Sequence, residues 1–306
     1  MKILITGGLG HIGSQLIRDF DGVELIVVDN LMTQRYSSLF NLGKTQQVNF
    51  LNLNVQELSE EHLRNLGPIS HIIHLAAITD AAGNANNKEG LFVNNLTGTK
   101  HISELALKLG IPLIFPSSTS VYGSQATLVD ENCDVLLPQS PYAECKLEEE
   151  KFILGQIAEG LQVSILRLGT IHGASIGMRF HTAVNKFILQ TKLGLPLSVW
   201  STALDQKRPY LSLTDAIRAF KHVISMNLFN GEIYNVLSNN WTVREIIQAI
   251  ELQHQKKCNV AFVDSPIMNQ LSYEVSPSKF ESTGFVFVGN LENDIKDSFE
   301  LLRGIN

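Results

Sequence analysis

Tyr142 and Lys146 stand four residues apart in the stretch Pro141-Tyr142-Ala143-Glu144-Cys145-Lys146. Proline suits the first turn of a helix, so phenol and ammonium fall on one helical face. A phenol with a pKa of about 10 is a poor base at neutral pH. A neighbouring ammonium favours the phenolate and lowers that pKa. The tyrosine can then take a proton from an alcohol during its oxidation and return it in the reverse direction. By itself such a pair is an ordinary surface contact. Upstream, Pro116-Ser117-Ser118-Thr119-Ser120-Val121-Tyr122-Gly123 offers hydroxyls that can orient a substrate oxygen, or that simply make a serine-rich turn.

The first 29 residues supply a setting for that chemistry. Lys2 to Thr6 is a short β-branched run of the kind that forms a buried parallel strand. Gly7, Gly8, Gly10 and Gly13 follow, and Ile12, Leu16 and Phe20 then recur every fourth residue on one helical face. A second strand, Glu24 to Val28, ends on Asp29. Glycines permit a tight turn, close approach of a pyrophosphate, and close packing of helix on strand. The helix start attracts the phosphates. Asp29 can accept both adenosine ribose hydroxyls and would repel a 2′-phosphate, which favours NAD over NADP.

With 44% hydrophobic and 18% charged residues among 306, the chain can bury a large core. A net charge of −6 without a basic cluster excludes nucleic acid and anionic membrane as favoured partners. Cys133, Cys145 and Cys258 are too few and scattered for a disulfide framework, and no His, Asp and Cys set has metal spacing. The apolar start belongs to the first strand rather than to a signal peptide, and no apolar run approaches the roughly 20 residues of a membrane span. The expectation is a soluble, cytoplasmic protein.

Strands alternate with helices through the first half: strands at 48–53, 71–76, 112–117 and 163–168, helices at 60–66, up to Leu109, and at 141–158. That rhythm predicts an α/β fold of the Rossmann type, a doubly wound parallel sheet with helices on both faces and ligands beyond the carboxyl ends of the strands. After Gly169 the rhythm loosens. Helices are expected at 183–192, from Thr214, from Thr242 (capped by that threonine with Glu245 three residues on) and at 291–302. Strands are expected at 197–200, 233–236 and 259–263. Residues 1–168, rejoined by parts of 212–238, are read as the NAD-binding domain, and 169–306 as a smaller C-terminal α/β substrate lobe.

These motifs together resemble the extended short-chain dehydrogenase/reductase family, and within it the nucleotide-sugar epimerase/dehydratase group. The resemblance rests on GGLGHIGS at 7–14, DNL at 29–31, HLAA at 74–77, NNLTGT at 94–99, SSTSVYG at 117–123, PQSPYAECK at 138–146, RLGTIHG at 167–173, RPYLSLTD at 208–215 and YNV at 234–236. It implies that Tyr142 is the catalytic acid/base, Lys146 its electrostatic partner and nicotinamide-ribose ligand, and Ser118 the third member of the triad. Gly7, Gly10, Ile12 and Gly13 would hold the pyrophosphate of NAD, and Asp29 and Asn30 the adenosine ribose. Asn54 and Val55 would stand at the adenine; Leu75, Ala76, Ala77 and Ser117 would line the cofactor cleft, with Asn95 supporting the central strands. His11 stands in the same cofactor set, its ring expected to fill only the solvent side of the turn.

On the substrate side the resemblance implies Ser118, Thr119, Tyr142 and Arg208, the last gripping a nucleotide diphosphate in a bidentate manner. Arg179 and Asn185 are further candidates, and Thr170 stands where epimerases of the group often carry asparagine. His172 and His181 are candidate sugar contacts, whereas His71 and His74 read as core histidines. The group's 4,6-dehydratases carry an Asp-Glu pair after the catalytic threonine; Thr119 and Ser120 occupy those positions here, so dehydration is disfavoured. The small polar segment 78–88 suggests altered sugar recognition. The leading expectation is NAD-dependent 4-epimerisation of a nucleotide-diphosphate sugar through a 4-keto intermediate. A keto-sugar reductase with the same triad is the alternative, and a non-catalytic dinucleotide sensor is disfavoured by the intact Tyr142. A homodimer through helices 88–109 and 141–158 is implied.

Overall fold

The computed structural model describes every residue except 81, 82, 85, 265–271 and 306. The expectation for segment 78–88 therefore falls partly outside the described residues. The first half runs β1 (Lys2–Thr6), α1 (His11–Asp19), β2 (Glu24–Asp29), β3 (Gln47–Asn52), α2 (Glu60–Asn65), β4 (His71–His74), α3 (Lys88–Leu109), β5 (Leu113–Ser118), α4 (Pro141–Ile157) and β6 (Val163–Leu168). The second half runs β7 (Thr170–His172), α5 (Ala183–Lys192), β8 (Leu197–Trp200), β9 (Lys207–Ser212), α6 (Leu213–Ser225) and β10 (Ile233–Val236). It ends with β11 (Asn239–Thr242), α7 (Val243–His254), β12 (Val260–Val263), α8 (Ser278–Glu281) and α9 (Leu291–Leu301).

Seven strands form one parallel sheet in the order β10-β6-β5-β4-β1-β2-β3. Side chains alternate across it, and both faces are apolar because helices cover both. Ile3, Ile5, Leu25 and Val27 pack on one face with Leu16 and Ile17 of α1 and Ile217 and Phe220 of α6. Leu4, Ile26 and Val28 pack on the other with Ile102 and Ala106 of α3 and Ile153 of α4. Each such fully buried aliphatic contributes about 1.5–3 kcal/mol. Strand order reverses at β1, whose neighbours are β2 and β4, so a crevice opens at their carboxyl ends.

Two small sheets lie outside the large one. β9 pairs parallel with β7 and antiparallel with β11, and β8 pairs with β12. Their core joins Val184, Phe187 and Ile188 of α5 to Ile246 and Ile250 of α7 and Ile295 of α9. The capping box expected at α7 is present, with Thr242 accepting from the Glu245 amide. β7, β9 and β11 are not apparent in the sequence.

His74, at the end of β4, is a satisfied core histidine as expected, 4% exposed and bonded on both ring nitrogens to Thr6 and Thr99. Burial, helped by the charge of Lys146, lowers its pKa to about 3. An unfolded histidine binds a proton below pH about 6.5. The folded-state pKa is the depressed one, so this stability is complete above that pH and is lost as the pH falls towards 3. Between pH 7 and 4.5 the chain should lose roughly 2–3 kcal/mol of unfolding free energy that a His74→Gln variant does not lose. Denaturant titrations at the two pH values check this, and equal losses in both proteins would refute it.

Candidate active site

The glycine turn is built by close approach. Gly7 has φ +63°, and a Cβ there would sit 2.5 Å from the Ala76 amide nitrogen, so only glycine lets β1 end against the segment after β4. A Cβ on Gly13 would lie 2.4 Å from the Gly8 carbonyl oxygen. Gly10 caps α1 with no side chain and the first turn holds no acid, leaving the positive helix end for an anion. At the end of β2, the Asp29 carboxylate accepts the Leu9 and Leu31 amides at 3.1 and 2.9 Å. Arg35 lies beside it: burial lowers the guanidinium's pKa and Asp29 opposes that shift.

The opposite wall comes from β5 and α4. Ser140 caps α4 by accepting the Ala143 amide at 3.2 Å, and Pro141 opens its first turn. Tyr142 and Lys146 follow one turn apart, with the ammonium 6.0 Å from the phenol ring centroid. Lys146 Nζ donates to the Pro116 carbonyl at 3.1 Å, lies over the Phe115 ring at 4.6 Å, and pairs with Glu149 at 3.1 Å. Burial pulls the ammonium's pKa down, but Glu149 and Tyr142 outweigh it and the net direction is upward. Ser118 Oγ accepts the Ser120 amide at 3.2 Å and lies 2.9 Å from Ser120 Oγ.

Between these walls runs a cleft of about 390 Å³. Its lining brings together Gly7, Gly10, His11, Ile12, Gly13, Asp29, Asn30, Val55, Leu75, Ala76, Ala77, Ser117, Ser118, Thr119, Tyr142, Lys146, Thr170, Arg179 and Arg208. Three asparagines selected from the sequence do not line it. Asn54 caps the turn at 55–57 and accepts a bond from Asn30 at 2.9 Å. Asn95 bonds the amide and carbonyl of Ile78, bracing the turn after β4. Asn185 is buried, bonded to the Gly173 amide and the Arg179 carbonyl, and so shapes the loop that carries Arg179.

The histidines also need correction. His11 is 4% exposed rather than on the solvent side, with Nδ1 2.8 Å from Ser175 Oγ. Burial, then Arg179 and Arg35, holds its pKa well below the usual value. His172 is fully buried against Tyr210 and Trp241, with Nδ1 3.0 Å from Asp294, and does not line the cleft. His181 does line it, and burial followed by Arg179 lowers its pKa to about 4.

Other lining residues carried no signal in the sequence. Tyr273 reaches the cleft from more than a hundred residues away and lies 3.4 Å from Thr119 Oγ1. Trp200 faces Arg208 at 5.3 Å, and Thr79 accepts from Arg179 at 2.6 Å. Arg35, six residues after Asp29, could have been suspected as a second charge at the cofactor end. Among the described residues no group of three or more His, Cys, Asp or Glu could hold a metal ion, and no helix is long and apolar enough to cross a membrane.

Residues 3–236 match the model of the NAD dependent epimerase/dehydratase family. The UDP-N-acetyl-alpha-D-glucosaminuronate decarboxylase of Bacillus cytotoxicus is 30% identical over 265 residues, 83% of this chain and 80% of that protein. The UDP-glucuronate 4-epimerase of Thermodesulfobacterium geofontis is 26% identical over 276 residues, 85% of this chain and 83% of its own. In structure, the UDP-glucuronic acid 4-epimerase from Bacillus cereus, solved with UDP-glucuronic acid and NAD, superposes with a TM-score of 0.90. There the identity is 21% and all of each chain is covered.

Gly7→Ala forces a side chain into the Ala76 backbone and should cost about 2–3 kcal/mol or more of stability. Thermal unfolding and the NAD affinity of the purified variant read both effects; a variant as stable as the parent with NAD affinity intact would contradict this account of the turn.

Proposed function

The chain belongs to the NAD dependent epimerase/dehydratase family, and we propose that within it this enzyme is a 4-epimerase of a UDP-linked sugar. One observation carries the reading. Tyr142, Lys146 and Ser118 share a wall of the cleft, and the two positions after Ser118 offer the hydroxyls of Thr119 and Ser120, with no acid for eliminating water. The curated relatives named above act on UDP-linked uronic acids, which makes a hexuronate the first sugar to try.

The chain's residues fit NAD. Gly10 and the uncapped start of α1 suit the pyrophosphate, and Asp29, pinned by two backbone amides, suits the adenosine ribose. When bound, NAD supplies a reversible two-electron acceptor for C4 of the sugar. Tyr142 takes the C4 hydroxyl proton as that carbon is oxidised and returns it to the 4-keto oxygen after the ring has turned. Ser118 donates to that oxygen. Lys146 keeps positive charge beside the phenol and reaches the nicotinamide ribose. Arg208 and Arg179 bind the substrate diphosphate, and the Arg179 Nε is a buried donor with no hydrogen-bond partner among the described residues. Thr119, Ser120, Thr170 and Tyr273 face the far side of the sugar. Residues 1–168, rejoined by parts of 212–238, serve the cofactor, and the rest of 169–306 serves the sugar. The enzyme works as a cytoplasmic homodimer joined through α3 and α4.

Incubated with UDP-glucuronic acid, the enzyme should form the 4-epimer with no net NADH and no carbon dioxide. Stoichiometric NADH would make it an oxidoreductase, and carbon dioxide would make it a decarboxylase. Tyr142→Phe should lower turnover about a thousandfold or more while leaving NAD affinity within about twofold. Unchanged turnover in that variant would overturn the assignment.

A further inference from the structure

Three glutamates follow Leu147 on α4, in the run Lys146-Leu147-Glu148-Glu149-Glu150, and they do not share one environment. Glu148 is exposed, whereas Glu149 and Glu150 are 0% and 1% exposed. Glu150 is fully engaged by Arg167 and Ser117. Glu149 instead faces Lys146, which is 4% exposed, at 3.1 Å.

A chain of hydrogen bonds reaches Glu149 from the other side. Thr99 Oγ1 donates to Glu149 Oε1. A hydroxyl has one proton, so the 3.2 Å contact between Thr99 Oγ1 and His74 Nε2 requires His74 to donate. With its pKa near 3 the ring is neutral, so Nδ1 is bare and accepts from Thr6 Oγ1 at 2.7 Å. Thr6 Oγ1 in turn accepts the Ala76 amide at 3.4 Å. Every donor from the cleft wall through β1, β4 and α3 therefore points towards one carboxylate, and that carboxylate points at Lys146.

We propose that Glu149 is a positioning residue of the reaction. Held by this one-way chain, its carboxylate fixes the Lys146 ammonium beside Tyr142 and keeps it charged. The groups facing Lys146 are Tyr142, Cys145 and Glu149 from α4, the Pro116 carbonyl and Phe115 ring from β5, and His74 from β4. Glu149 is the one carboxylate in that set. Without it a buried ammonium has only a carbonyl, a ring and a phenol to offset desolvation, and such lysines lose their proton readily. Glu149 does not line the cleft, so its effect passes through Lys146 and not through substrate contact.

The inference rests on Lys146 serving Tyr142, and its main test needs no substrate. Lysine labelled with ¹³C at the ε-carbon, with Lys146 assigned from a Lys146→Met sample, is titrated by NMR in the full chain with NAD present. In Glu149→Gln the Lys146 signal should titrate about two to three pH units below the parent. Glu149→Asp keeps the charge but draws the carboxylate back by one methylene, and should shift the signal in the same direction by a smaller amount. With UDP-glucuronic acid, Glu149→Gln should gain a fall in kcat on the alkaline side that the parent lacks, with KM within about twofold. A Lys146 signal that titrates as in the parent in both variants, or an alkaline profile unchanged in Glu149→Gln, overturns the role. Should Glu149→Gln fail to fold, an unshifted Lys146 in Glu149→Asp does so alone. A parent chain silent on UDP sugars would instead sink the epimerase reading and leave the lysine titration standing.

Discussion

Buried charge on one face of α4 is the constraint on which the site depends. Lys146 and Glu150 both point inward, and each finds its opposite: Lys146 pairs with Glu149 at 3.1 Å, and Glu150 with Arg167 of β6 at 2.7 Å. Removing one partner from such a pair strands a charge in the interior at a cost of roughly 3–5 kcal/mol. Glu150 also accepts the Ser117 hydroxyl of β5, and Arg167 lies over the Tyr122 ring at 4.9 Å. The helix cannot rotate or slide without breaking the bonds of Glu150 to Arg167 and Ser117 and of Lys146 to the Pro116 carbonyl. Tyr142, one turn before Lys146, inherits that fixed orientation.

The same arrangement explains how a polar helix sits against a sheet. Its inner face carries Lys146, Glu149, Glu150 and Gln156 beside Ala143, Cys145 and Ile153. To the charged residues the neighbouring strands and α3 answer with hydroxyls, a carbonyl, an imidazole and a guanidinium, while Ile153 keeps aliphatic neighbours. Chemistry and packing thus draw on the same contacts, and those contacts lie at the carboxyl ends of the strands where the parallel sheet leaves its crevice.

Much of this was legible because it is local. The glycine turn, β6 at 163–168, α5 at 183–192 and the Thr242 cap follow from short-range pattern. β9 was not legible: its residues Lys207–Ser212 include a proline, do not alternate, and become a strand through pairing with β7 and β11. Glu149 was hidden in a run of three glutamates that reads as a solvated helix face, although its spacing from Lys146 allows contact. His172 and Asn185 misled for the opposite reason. They occur where a ligand contact is expected, yet Asp294, Trp241 and the loop at 173–179 enclose them. Which way a polar side chain turns depends on partners far off in the chain.

Tyr273 belongs to a short stretch of backbone strapped in place from two sides. Val129 donates to the Glu274 carbonyl and accepts the Ser276 amide, and the Tyr273 amide reaches the Lys207 carbonyl on β9. The family match ends at residue 236, so Tyr273 lies beyond it while still lining the cleft. The cleft is thereby walled by two separable lengths of chain, the matched residues 3–236 and this strap. Drift in the strap can reshape one side of the cleft while the Tyr142 phenol stays where α4 holds it, which gives such a scaffold an evolutionary route to a new lining without disturbing the old one.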